Sequence, residues 1–259
     1  MYEAMDVPLG QSGPNDPGLA MEEAILGDLQ SRRPDLQIRR SQSALEFRQY
    51  RHLAVFPTFQ KEHRDSHSLL NTLKKLTDAL PPSDQASVIQ AEIDRVLAHL
   101  STADALVTAM KDQMPSESLL KLDLTVAEDD EQSSPLLRIA LSAKWSLRTD
   151  RAQDCISQGS KLVGQRRGRM PHYAVITIEP RPSMLKIIGD GSGAVDCVYH
   201  LHLPALTQAV ETAAQRSNNP ATWPPAVTFR RLVAQGRLRD YDDLVTEVQT
   251  LAQPSPTGA

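Results

Sequence analysis

The chain has 259 residues, of which 40% are hydrophobic and 23% charged, an ordinary globular composition with enough apolar side chains for a sizeable core. Its formal net charge of −4 argues against a protein that coats nucleic acid indiscriminately, although local basic clusters leave a specific polyanion ligand possible. The sequence shows no apolar run long enough for a bilayer, no signal-peptide pattern and only two cysteines, so we expect a cytoplasmic protein with reduced thiols and no membrane contact.

The first half of the chain has the patterns of helices. Residues 1–18 are rich in Pro, Gly, Asn and Asp and predict a disordered arm. The apolar spacing in residues 20–30 predicts a short amphipathic helix that ends near Pro34. We expect another helix from about Ser43, and two more within residues 66–113, separated at "PPSD".

After Pro115 the sequence changes to strand-like patterns. "LLKLDLTVAED" and "PLLRIALSAKWSL" predict a hairpin around an acidic turn, and "HYAVITIEP" and "AVDCVYHLHL" predict buried strands. "AQDCISQGSKLVGQRRG" and "ALTQAVETAAQR" are typical of helices. The fold class predicted is α/β, a mixed central sheet flanked by helices. We expect one domain over residues 19–253, with a helical part (19–114), a strand-rich core (115–253) and a frayed tail (254–259).

The predicted hairpin carries a candidate catalytic pair. Asp123 lies on the face of its strand opposite Leu122 and Leu124, and Ser142 and Lys144 share one face of the next strand. The hairpin could therefore bring Asp123 next to Lys144. A carboxylate that holds Mg²⁺ beside a lysine that offsets negative charge suits phosphodiester hydrolysis. An exposed position on an edge strand is the alternative interpretation of Asp123.

A candidate base-reading segment follows directly. Arg148 can donate two hydrogen bonds to guanine O6 and N7, and Asp150 can accept one from the amino group of cytosine. Two such residues, two apart, could read adjacent G and C edges. The alternative is a salt-bridged helix start, in which the charge of Asp150 near the N-terminus is favourable.

These motifs together carry a family resemblance. "SAKWSLRTDRAQ", "GQRRGRMPHYAVITIEPRPS" and "AVDCVYH" resemble, in this order, the NgoMIV-type restriction endonucleases, which have the PD-(D/E)xK nuclease fold. The resemblance runs from about Asp123 to His200 and reaches back more weakly to "ALEF" at Glu46. It implies a prokaryotic type II enzyme that uses Mg²⁺ to cleave double-stranded DNA at palindromic sites with a CCGG core. Cleavage would leave 5′-phosphate ends, and the enzyme would work as a homodimer or homotetramer.

The resemblance also implies roles for individual residues. Asp123 matches the metal-binding aspartate and Lys144 the catalytic lysine, while Ser142 stands where many PD-(D/E)xK enzymes have an acid. Glu46 matches an auxiliary glutamate of an early helix. Three side chains match the segment that reads the CCGG core in the major groove: Arg148, Asp150 and Arg151.

One departure from the family pattern concerns the metal site. The family has its second metal-binding acid fourteen residues after the lysine, where this chain has Gln158. Asp154 lies one helical turn earlier on the same face, and our hypothesis is that it substitutes in part, together with Glu46. The alternative is a DNA-binding relative that keeps the readout and has lost efficient cleavage. A nuclease of different specificity, such as a repair enzyme, is a third interpretation.

A second departure concerns the bases that flank the core. Some relatives carry an arginine after Pro-Ser that helps to read them, and this chain has Met184, which cannot donate a hydrogen bond. The predicted hairpin is also shorter than in relatives, so Asp104 and Asp112 are alternatives to Asp123 as the metal-binding aspartate.

Overall fold

A computed structural model describes residues 16–55, 57–58, 66–78, 84–113, 120–129, 134–190 and 193–251 of this chain. The chain divides into two compact units. One combines Met1–Arg51 with Leu120–Ala259, and the other is His52–Leu119. The first 51 residues therefore belong to the same unit as the strand-rich part of the sequence.

A six-stranded sheet forms the centre of the first unit, and its spatial order follows the sequence. Its strands are β1 (Gln37–Ser43), β2 (Lys121–Glu128), β3 (Leu136–Lys144), β4 (His172–Thr177), β5 (Cys197–His200) and β6 (Leu238–Asp240). The first three strands pair antiparallel, and β4, β5 and β6 continue parallel to β3. The predicted mixed α/β fold and the predicted hairpin of β2 and β3 are confirmed.

The helices that the structure describes are α1 (Pro17–Arg32), α2 (Ser66–Asp78), α3 (Asp84–Gln113), α4 (Thr149–Gln165), α5 (Pro182–Gly189), α6 (Leu203–Gln215), α7 (Pro224–Ala234) and α8 (Tyr241–Thr250). The helix expected in residues 20–30 is confirmed, but it begins at Pro17, where the side chain of Asp16 accepts hydrogen bonds from two backbone amides of the first turn. The two helices expected in residues 66–113 are also confirmed. None of the helices in the described ranges is long and apolar enough to cross a membrane.

Helices cover both faces of the sheet. Buried side chains of α1 and α8 pack on one face, among them Met21, Ile25, Leu29, Leu244 and Val248. Leu141 and Ala143 of β3 belong to this core, so Ser142 between them points to the other face, where its hydroxyl lies 3.6 Å from the sulfur of Cys155 on α4. Burial of apolar side chains between the first face and α1 and α8, together with the packing of α4 on the second face, stabilises the sheet between two layers of helices.

Gly159 allows α4 to lie close to the sheet. A Cβ at this position would stand 2.5 Å from the carbonyl oxygen of Ala194 and 2.7 Å from the ring of Tyr173. The hydroxyl of Tyr173 donates a hydrogen bond to the carbonyl of Cys155 in the same helix, at 2.9 Å. Glycine lowers the helix propensity of this segment, but the packing of α4 on β4 requires it at position 159.

The prediction of a helix from about Ser43 is wrong. The chain instead ends β1 at Ser43 and continues through two short 3-10 segments, Ala44–Glu46 and Arg51–Ala54. Between them the side chain of Gln49 is buried and bonds both backbone groups of Leu137, donating to its carbonyl at 2.7 Å and accepting from its amide at 3.1 Å. These contacts to β3 replace the local hydrogen bonds of a helix, because tertiary pairing overrides a weak local preference.

An ionic cluster joins β4, β5 and α8 at the end of the sheet where β4 and β5 begin. The ring of His172 lies 2.9 Å from a carboxylate oxygen of Asp196, 3.4 Å from one of Glu247 and 3.0 Å from the hydroxyl of Tyr199. Burial opposes a charged ring, but the hydrogen bond to Asp196, the contact with the sulfur of Cys197 and the charge of Glu247 outweigh it and raise the pKa of His172 to about 10. Arg239 contacts the same glutamate.

The pKa of His172 predicts a loss of stability in alkali. A group whose pKa is higher in the folded state stabilises the fold fully below its unfolded pKa, here about 6.5, and its contribution is lost as the pH rises towards 10. In wild type the free energy of unfolding should fall as the pH rises across that window. In His172→Gln we expect this fall to be smaller by on the order of 1–3 kcal/mol. Urea unfolding at several pH values measures it, with the exposed His202→Gln as control. Parallel wild-type and His172→Gln curves would contradict the assignment.

Candidate active site

Asp123, Ser142 and Lys144 meet at the end of the sheet where β2 begins and β3 ends. Leu124 pairs with Leu141, which places Asp123 opposite Ser142. The ammonium nitrogen of Lys144 lies 2.6 Å from Oδ2 of Asp123. Because β2 lies between β1 and β3, the interpretation of Asp123 as an edge-strand residue is wrong.

The carboxylate of Asp123 is held by several donors on one oxygen. Oδ2 accepts hydrogen bonds from the backbone amide of Ala143 at 2.9 Å and from the hydroxyl of Ser142 at 3.1 Å, besides the contact with Lys144. Within the described part of the chain, no hydrogen bond is found for Oδ1. The Asp123 and Lys144 side chains are 25% and 24% exposed, so the pair is fixed in direction and still accessible to a ligand.

A second carboxylate, Glu22 of α1, lies near this pair and was not predicted. Burial and the charge of Asp123 raise the pKa of Glu22, whereas a hydrogen bond from Arg40 and the charge of Lys144 act in the opposite direction. The Nε of Arg40 lies 3.1 Å from Glu22. In the sequence Glu22 follows Met21 at the border of the apolar stripe of α1, which indicates half-burial; its neighbourhood to Asp123 depends on how α1 packs.

Gln158 lies beside the site with both ends of its amide engaged. Its Nε2 donates to the carbonyl of Lys121 at 2.7 Å, and its Oε1 lies 2.9 Å from the hydroxyl of Tyr173, whose single proton is shared with the carbonyl of Cys155. The residue thus bridges α4 to β2 and β4. A neutral amide with these two partners is a structural link at the position where the resemblance implies a metal-binding acid.

The acids expected to compensate for Gln158 lie elsewhere. Asp154 is exposed on α4, and Glu46 is exposed at the end of a 3-10 segment. No contact among the described residues links either of them to Asp123 or Lys144, and their metal-binding and auxiliary roles stay predictions. No group of three or more His, Cys, Asp or Glu side chains suited to a metal ion occurs in the described ranges. Of the alternatives to Asp123, Asp104 lies on α3 of the other unit, and the side chain of Asp112 is outside the described residues.

The predicted base-reading side chains stand at the N-terminus of α4. Arg148 immediately precedes the helix and lies 3.7 Å from Asp150 in its first turn. Their side chains are 68% and 67% exposed, so the loose ion pair leaves both available to DNA. Arg151 is half-buried and donates to the carbonyl of Ser146 at 3.5 Å. Met184 is half-buried on α5.

Two comparisons with known proteins bear on this arrangement. Residues 23–249 match a family described as NgoMIV restriction enzyme. A stretch of 111 residues is 40% identical to the type II restriction enzyme NgoMIV of Neisseria gonorrhoeae. That stretch is 42% of this chain and spans 36% of the length of that relative.

Proposed function

This chain belongs to the NgoMIV restriction enzyme family, and on that basis we propose that it is a type II restriction endonuclease that hydrolyses both strands of double-stranded DNA at a palindromic site. The observation that carries the proposal is the pairing of Lys144 with Asp123 at 2.6 Å, in an accessible position where β2 begins and β3 ends. The finer parts of the proposal are a CCGG core, Mg²⁺ as the cofactor, 5′-phosphate ends and a homodimeric or homotetrameric enzyme.

The donors at this site fit a hard divalent cation. Asp123 offers a carboxylate oxygen, the kind of ligand that Mg²⁺ prefers, Glu22 is a candidate for a second, and the water molecules that the ion retains would complete its shell. Burial and the charge of Asp123 both raise the pKa of Glu22, and a bound cation would relieve the repulsion between the two carboxylates. When bound there, Mg²⁺ would lower the pKa of a water ligand and stabilise negative charge on the phosphate.

The residues of the chain itself account for the remaining chemistry. Water attacks the phosphorus and loses a proton to solvent, and the bond to the 3′ oxygen breaks. The leaving oxygen takes up a proton and becomes a 3′ hydroxyl, and the phosphate stays on the 5′ end. The side chain of Lys144 offsets the charge that grows on the non-bridging oxygens. Ser142 and the amide of Ala143 keep Oδ2 of Asp123 in place, so that its other oxygen faces the ligand. The pair is therefore organised before the substrate arrives.

The exposed side chains at the start of α4 supply the specificity. Arg148 would bind O6 and N7 of guanine, and Asp150 would accept from the amino group of cytosine, with Arg151 beside them. Two protomers related by twofold symmetry would read the two halves of a palindrome in the same way. Each protomer would then cut one strand.

Cleavage of a plasmid with CCGG sites tests the proposal. We expect discrete fragments with Mg²⁺ and none with EDTA, and sequencing of the ends should show 5′ phosphates within or beside CCGG. A site-selective mobility shift without cutting would support the alternative of a DNA-binding relative, which the engaged amide of Gln158 favours. Fragments unrelated to CCGG would support a nuclease of different specificity.

Restoring an acid at position 158 should strengthen metal binding. We expect Gln158→Glu to lower the Mg²⁺ concentration for half-maximal cleavage by about 10-fold, the lower end of the effect on affinity when a residue around a metal site is changed. The variant loses the hydrogen bond to the carbonyl of Lys121, which costs about 1 kcal/mol of stability. A Mg²⁺ titration of the cleavage rate and calorimetry with Mg²⁺ alone measure both effects. Gln153→Glu, exposed on the same helix, is the control, and equal Mg²⁺ dependence in both variants would refute the expectation.

A further inference from the structure

A buried carboxylate lies just beyond the end of β4 and outside the catalytic pair. The side chain of Glu179 is 0% exposed. Burial alone would raise the pKa of Glu179, but hydrogen bonds from Arg181 and from the backbone of Leu147 lower it below the ordinary value. A buried charge is costly unless it is paired and hydrogen-bonded, so these partners are required for the loop to adopt this form.

Both oxygens of Glu179 are fully engaged. Oε1 accepts from the backbone amide of Arg181 at 3.0 Å and from its Nε at 2.5 Å. Oε2 accepts from Nη2 of Arg181 at 2.9 Å and from the backbone amide of Leu147 at 2.8 Å. Such a charge-assisted two-point contact is stronger and more directional than a neutral hydrogen bond.

The arrangement also holds the other backbone group of Leu147. Nη2 of Arg181 donates to the Leu147 carbonyl at 2.6 Å, and the Leu147 side chain is buried. Both polar backbone groups of this residue are therefore bound to the Glu179–Arg181 pair. Arg148 is the next residue, and its own side chain makes no capping hydrogen bond at the start of α4. The position of Arg148 is thus set by the residue before it.

We propose that Glu179 and Arg181 are positioning residues that fix the base-reading segment through the backbone of Leu147, without contacting the bases themselves. This inference rests on the proposed function. Glu179 follows β4 and Leu147 follows β3, so the pair joins the ends of two parallel strands on the side where DNA would bind. Arg181 also begins the turn into α5, which carries Met184, so the two segments expected to face the core and flanking bases are fixed to each other.

The test compares cognate with near-cognate DNA. Steady-state kinetics with Mg²⁺ are measured on a duplex with CCGG and on one with a single changed base pair, for wild type, Glu179→Gln and Arg181→Gln. We expect both variants to lower the cognate preference in kcat/KM by about 10-fold to 100-fold, the scale of a misplacement of about 1 Å. The loss should lie in KM for the cognate duplex, with kcat little changed. Glu211→Gln, which breaks a comparable Glu–Arg pair with Arg230 at the surface, should keep the preference.

The outcomes separate the inference from the proposed function. If wild type shows no preference for CCGG, both the proposed function and this inference are overturned. If wild type discriminates and both variants keep its preference, with only their melting temperatures lowered, the pair is merely structural. Arg181→Gln leaves the buried carboxylate of Glu179 without its cation, whereas Glu179→Gln removes that charge. Glu179→Gln should therefore fold even if Arg181→Gln does not, and then decides alone. A fall of about one unit in the salt slope of binding would show a direct phosphate contact by Arg181 and refute positioning as its role.

Discussion

Lys144→Ala is expected to slow DNA cleavage by about 100-fold to 1000-fold, the range found when one preorganised donor to a developing negative charge is removed. Lys144 is the cation that contacts Asp123 directly, at 2.6 Å. Without it, the charge that grows on the phosphate would lose its nearest protein donor. DNA binding should persist, because the exposed residues at the start of α4 are untouched.

Single-turnover cleavage at saturating enzyme separates this effect from binding. The fold should survive, since Asp123 keeps its hydrogen bonds from Ser142 and Ala143 and is partly exposed. Lys75→Ala, an exposed lysine of the other unit, is the matched control and should cut at the wild-type rate. A cleavage rate for Lys144→Ala close to that of wild type would remove Lys144 from the proposed mechanism.

Arg148→Ala is expected to abolish selective cleavage of the CCGG site under conditions in which wild type cuts to completion. A bidentate contact with guanine contributes about 1–3 kcal/mol of discrimination, and a palindrome read by two protomers doubles this to about 2–6 kcal/mol. At about 1.4 kcal/mol for each factor of ten, kcat/KM for the site should fall roughly 30-fold to 10⁴-fold. Stability should not change, because the arginine is 68% exposed and its ion pair with Asp150 is long.

Competition between duplexes distinguishes base reading from general attraction to DNA. Arg148→Ala should lose the preference for CCGG over a duplex with a changed core, whereas a phosphate contact would weaken binding to both equally. Arg216→Ala, exposed at the end of α6, removes the same charge elsewhere and should leave the preference intact. An Arg148→Ala enzyme that retains the wild-type preference would mean that the CCGG core is read by other residues.

The central part of the fold could be predicted because its strands have clear local patterns. In β2 and β3 apolar residues either alternate with polar ones or follow one another, and an acidic turn separates the two strands. β4 is a run of mostly buried residues that ends shortly before Pro180. β1 was missed because "QIRRSQS" has a single buried apolar residue, Ile38, and its pairing with β2 decides its conformation. β6 has three residues and is too short for a periodic signal. Tertiary context, rather than local preference, fixes both edge strands.

The candidate site was predictable where it follows from one hairpin. The side-chain period of two places Asp123 and Lys144 on the same face of neighbouring strands, as expected from the sequence. Glu22 could not be found in this way, because it reaches the pair from α1, about a hundred residues before Asp123. The same is true of Glu179, whose importance depends on the backbone of Leu147, a group that no side-chain motif reveals.

The pairing of β1 with β2 has a consequence for how this architecture can be modified. Ser43 pairs with Lys121, and the amide of Ala44 donates to the carbonyl of Leu120 at 2.9 Å. The chain thus leaves the sheet and returns to it at one place, and the second unit, His52–Leu119, lies in the sequence between these two joined positions. When the ends of a segment are joined in this way, each doubling of its length raises the entropic cost of closing it by only about 0.6 kcal/mol. Evolution or a protein engineer could therefore exchange the second unit and keep the strand register that aligns Asp123.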